Sequence, residues 1–137
     1  MLRSLSPLLF VITIATYAQP PAGSDCQATG QTMRDLRNLQ TTVEAYYADY
    51  KRYPDAVSIA QLQPIVSPIY IRPFPTTDAW GTELLYRTFA DGKAYVIASA
   101  GSDKQFDERT WQKGPRNASE DAVIRSGQEL KMWEECK

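Results

Sequence analysis

The chain has 137 residues, 43% of them hydrophobic and 23% charged, a composition that suits one globular domain. Its formal net charge is −1, so no basic surplus points to nucleic acid or to an anionic membrane surface. It contains no histidine, which removes the commonest general base, the commonest metal ligand and every Ser-His or Cys-His nucleophile arrangement.

Residues 1–18 read as an export signal. Arg3 supplies a positive start, an apolar core runs from Leu8 to Ala15, and Thr16 and Ala18 are small residues at the −3 and −1 positions. The alternative is an uncleaved membrane anchor, but the apolar run is shorter than the ~20 residues a spanning helix needs. With the signal removed, no membrane span is expected, and the protein would be periplasmic or secreted. Two cysteines remain, Cys26 and Cys136. In an exported chain an even count suggests a disulfide between them. Lipid attachment at Cys26 is the rival, against which Asp25 stands where a small residue is needed.

Residues 19–24 form a Pro/Gly linker. From Asp25 to Tyr50 the apolar residues Met33, Leu36, Leu39, Val43, Tyr46, Tyr47 and Tyr50 recur at spacings of three and four, which predicts an amphipathic helix. Gly30 weakens its first turns. Pro54 ends the pattern. Residues 58–66 predict a short second helix limited by Pro64. Residues 67–77 carry three prolines among apolar side chains and predict an extended connector. Residues 84–89 and 94–99 are β-prone runs flanking Asp91-Gly92, a strong hairpin signal because a type I′ turn needs positive φ at both central positions. Trp80, before Gly81 ahead of the hairpin, is expected to be mostly buried.

Residues 101–119 make a polar loop whose length is uncommon unless it serves a function; Phe106 and Trp111 are its expected anchors. Residues 122–124 predict a third strand. Ser126 and Glu129 form a capping box, which predicts a short C-terminal helix over residues 127–135. The domain boundaries that follow are 1–18, 19–24, 25–125 and 126–137.

Several short motifs occur in a telling order: Arg52-Tyr53-Pro54, then Asp78-Ala79-Trp80-Gly81, then Ser99-Ala100-Gly101-Ser102-Asp103, then Glu120-Asp121-Ala122-Val123-Ile124. Over about residues 29–124 the chain resembles the globular domain of the major pseudopilin, protein G, of type II secretion systems. The resemblance implies an α+β fold, one long helix on a small antiparallel sheet, with calcium held by the loop after the hairpin. The Ala100 carbonyl and Asp103 match ligand positions of that family, and Asp121 matches the first aspartate of its acidic motif. Glu120 stands beside Asp121. Val123 occupies the position of the second aspartate, and the paired glycines that usually follow Asp103 are missing. The basic leader and long apolar first half of the family's helix are missing too.

Calcium takes six to eight oxygens, and Asp103, Asp107, Glu108, Glu120 and Asp121 supply enough acids for a site. The other reading of the same residues is a solvated loop in which Asp103 caps a turn. No catalytic residues are expected: Ser99 and Ser102 lack a nucleophile elbow, and Asp107 and Glu108 are adjacent acids in a loop. The expected role is that of an exported pseudopilin-like structural or interaction protein associated with type II secretion or a related envelope assembly, with other pseudopilin-like or secretion-system proteins as partners. The alternative is a free-standing exported binding module stabilised by calcium.

Overall fold

A computed structural model describes residues 22–131, 133 and 136. The expected signal peptide and the first part of the linker lie outside the described residues. Helix α1 spans Ala22–Tyr50, α2 spans Ile59–Val66, and three strands follow: β1 Leu85–Phe89, β2 Ala94–Ser99 and β3 Ala122–Arg125. A single turn of 3-10 helix, Glu108–Thr110, interrupts the loop between β2 and β3. The sheet is antiparallel in the order β1-β2-β3, giving the α+β arrangement that the family resemblance implies.

Helix α1 forms because its apolar residues return every three or four positions. Met33, Leu36, Leu39 and Val43 are buried in the shared core, while Arg34, Arg37, Asn38 and Glu44 are exposed. Each fully buried aliphatic side chain contributes on the order of 2 kcal/mol through removal from water. The helix starts three residues earlier than its periodicity indicates, so residues 22–24 belong to it and not to a linker. At the other end Lys51 enters the left-handed region at φ 58° and its N–H donates to the Tyr47 carbonyl (2.8 Å). The helix therefore closes before Pro54 is reached.

The turn after α1 is fastened to the hairpin. The Tyr53 N–H donates to the Gly92 carbonyl (2.8 Å) and the Tyr86 hydroxyl donates to the Pro54 carbonyl (2.8 Å). The Ala56 N–H donates to Thr88 Oγ1 (3.1 Å). Helix α2 is capped by Ser58, whose hydroxyl accepts the Gln61 N–H. It buries Ile59, Leu62 and Val66. The connector that follows carries cis peptide bonds before Pro68 and Pro73. In the hairpin, Phe89 pairs with Ala94, and Asp91 and Gly92 both have positive φ (55° and 78°). That is the backbone handedness Asp-Gly permits.

Strand β2 is the middle strand. It pairs with β1 from Leu85↔Ala98 to Phe89↔Ala94, and with β3 from Val96↔Arg125 to Ser99↔Ala122. Tyr95 to Ser99 are all buried.

The C-terminal helix expected over 127–135 does not form at Gly127 to Lys131 or at Trp133; residues 132, 134 and 135 lie outside the described residues. Two local facts override the capping box. Gly127 adopts φ 76°, and the Ser126 hydroxyl accepts the Tyr95 N–H (3.4 Å) while the Ser126 N–H donates to the Tyr95 carbonyl (3.2 Å). The serine thus continues the sheet ladder, and no helix N-terminus is left for it to cap. Trp133 is fully buried, meets Trp80 edge-to-face at 5.9 Å and donates its indole N–H to the Glu120 carbonyl (3.0 Å). Cys26 and Cys136 are joined by a disulfide with a Cα–Cα distance of 5.3 Å. Trp80 packs against the core with most of its surface covered, as expected, while Trp133 is enclosed completely.

Candidate functional site

The candidate site is the loop that carries the chain from β2 to β3. Its two ends are brought together by the Ser99↔Ala122 pair. Just past β2, Gly101 has φ 74°, and a Cβ there would lie 2.6 Å from the Ala118 carbonyl oxygen and 2.7 Å from that of Glu120. Only glycine allows this approach. The next residue, Ser102, donates its N–H to the Ala118 carbonyl (2.7 Å), so the loop is zipped at its base by backbone alone.

The acidic residues each have a local task. Asp103 Oδ1 accepts the Gln105 N–H (2.9 Å), the turn-capping role that a solvated loop gives it. Glu120 Oε2 accepts the Arg116 N–H (2.8 Å). Asp107 caps the 3-10 turn through the Arg109 N–H (3.2 Å) and receives the Arg109 guanidinium on both oxygens (2.8 and 2.9 Å). That pair holds the Asp107 carboxyl below its ordinary range. Asp121 is buried, and its Oδ2 accepts two donors at 2.7 Å, the Trp111 indole N–H and the Asp107 backbone N–H. Burial pushes the Asp121 carboxyl up; these two hydrogen bonds oppose the shift, and the charges of Asp103 and Asp107 add to it. Trp111 in turn lies under the Arg125 guanidinium, 5.9 Å from the ring centre.

Of the four residues named for calcium, Ala100 is fully buried at the end of β2, Asp121 lies beneath Trp111, and Asp103 and Glu120 are engaged at separate turns. Among the described residues no group of three acidic side chains is gathered for a metal ion. Val123 lies in β3 opposite Ala98. As arranged, these residues are not gathered into a calcium shell: one oxygen of each of Asp103, Glu120 and Asp121 accepts a protein N–H at a different place in the loop. Phe106, expected to anchor the loop, is exposed; Trp111 alone of the two does so.

Asp78 is the residue that sequence reasoning passed over. It is buried, its Oδ1 accepts the Trp80 and Thr82 N–H groups (3.1 and 3.0 Å), and its Oδ2 accepts the Ser99 hydroxyl (2.8 Å). Ser99 Oγ then accepts the Gly101 N–H (3.2 Å). A single carboxylate therefore ties the Asp78-Ala79-Trp80-Gly81 turn to the start of the loop. Its signal in the sequence was the position before a Trp-Gly turn, where a short acid can bond its own backbone two residues on. The Ser99 hydroxyl is spent in this network: it donates to the buried Asp78 carboxylate and accepts the Gly101 N–H, and the residue is fully buried.

These turns, the long helix and the hairpin are the parts on which a family comparison rests. The model of type II secretion system protein G matches residues 22–113, more than half of the chain. The chain belongs to the type II secretion system protein G family. The match covers α1, the connector, the hairpin and the 3-10 turn. Strand β3, Asp121 and the tail with Trp133 lie beyond it. The chain matches no curated protein and no solved structure. The protein G family is a structural, pseudopilin family and not a catalytic one, in keeping with a loop whose polar groups bond to one another.

Proposed function

We propose that the protein is an exported pseudopilin-like component that acts by contact with other type II secretion proteins, in the periplasm or outside the cell. The observation that carries this reading is the protein G match over the long helix and hairpin. Three features support it. The polar groups of the loop serve structure, no described helix is long and apolar enough to cross a membrane, and the two cysteines are joined. Disulfides persist in oxidising compartments. The residues before Ala22 supply an export signal, cleaved after Ala18.

The test is made in the native host. Deleting the gene is expected to leave type II substrates inside the envelope, and restoring it is expected to return them to the medium. Unchanged secretion, with no secretion component retained on the tagged protein, would instead indicate a free-standing binding module.

A further inference from the structure

We propose that the loop over residues 100–121 is closed by its own side chains around Asp121, through the Trp111 indole and the Asp107 amide, and that it takes up no calcium. A divalent ion in such a loop would do two things: neutralise carboxylates and gather oxygens from both ends. Here both tasks are done by the protein. Arg109 neutralises Asp107 through a two-point contact (2.8 and 2.9 Å). The Trp111 and Asp107 N–H groups converge on one oxygen of Asp121, each at 2.7 Å. A metal ion and N–H donors compete for the same lone pairs, so an oxygen holding both donors is closed to a cation unless Trp111 leaves.

The carbonyls at the base of the loop are used in the same way. That of Ala118 accepts Ser102 and that of Glu120 accepts the Trp133 indole, with Gly101 pressed between them. The Arg125 guanidinium lies over the Trp111 ring, 5.9 Å from its centre, and Val123 lines the same groove as Trp111 and Asp121. An aliphatic residue at 123 suits a groove walled by an indole; an acid there would suit an ion.

Calcium titrated into the purified full-length protein is expected to give no saturable heat. The melting temperature should agree within about 1 °C in calcium and in chelator, because a ligand that binds only the native state must raise it by mass action. In chelator, the Asp107 amide and the Trp111 indole proton should exchange with solvent slowly, as protected groups do. Trp111→Phe keeps the ring and removes the donor; it should lower the melting temperature and speed exchange of the Asp107 amide by about tenfold or more. Saturable calcium binding that Asp121→Asn abolishes would overturn the proposal. So would unprotected exchange of both protons in the chelator-treated wild type, a reading that does not depend on whether any variant folds.

Discussion

Trp133 and Trp80 meet edge-to-face, yet they are not equivalent. Trp133 is fully enclosed and its indole N–H is satisfied by the Glu120 carbonyl, while Trp80 keeps part of its surface exposed. Truncating Trp133 to alanine should cost ~3–5 kcal/mol, the range for large aromatic deletions, and should leave the Glu120 carbonyl without its donor. Trp80→Ala should cost less, since less of its surface is removed from water on folding. Chemical denaturation of the two variants checks the order; equal losses would contradict the difference in burial between the two rings. Asp78→Ala removes acceptors from three donors at once. A buried donor left without a partner costs ~1–3 kcal/mol, so this small change should rank with the tryptophan deletions. Gly101→Ala should be similarly damaging, because the added methyl meets two carbonyl oxygens below 3 Å at a φ that disfavours it.

At the level of elements, what could be read from the sequence follows the range of the interactions. Helix α1 was legible because its apolar spacing repeats over several turns, and tertiary burial follows that same stripe. The hairpin was legible because Asp91-Gly92 acts within four residues. The C-terminal helix was misread for a reason of range: the capping box is a local preference, and the Ser126 hydroxyl is taken by Tyr95, which is 31 positions away. The closure of the loop was invisible for the same reason. Nothing periodic links Trp111 to Asp121, which meet across ten positions of irregular chain. The acids themselves could be found; their partners could not. The tail and α1 are also joined by the disulfide, which spans 110 positions. Replacing Cys136 by serine should lower stability by roughly 2–4 kcal/mol by freeing the unfolded chain. Thermal unfolding of the variant beside the reduced wild type would check this; an unchanged midpoint would show that Trp133 alone secures the tail.

At the scale of the whole molecule, tyrosines join the helix to the sheet. Tyr53 meets Tyr95 edge-to-face at 4.6 Å, and both hydroxyls donate to Glu44. Burial, and then the Glu44 carboxylate, push Tyr53 up to about 12. Burial pushes Tyr86 and Tyr95 higher still. The folded state therefore favours the neutral phenols. Their contribution is fully present below the ordinary value of 10.0 and is lost as pH rises through the raised values. Stability should fall steeply above pH ~10, with phenolate absorbance of these tyrosines appearing together with loss of helix. Phenolates of Tyr53, Tyr86 and Tyr95 titrating near 10 in a protein that stays folded would contradict the buried junction.

The central claim is that this protein G family member works by touching other secretion proteins. Cross-linking of intact envelopes from the native host, followed by mass spectrometry of the recovered protein, tests that claim most directly. Cross-links from α1 or the loop after β2 to type II secretion subunits are the expected result. Cross-links confined to unrelated envelope proteins, or none at all from a properly exported chain, would contradict it.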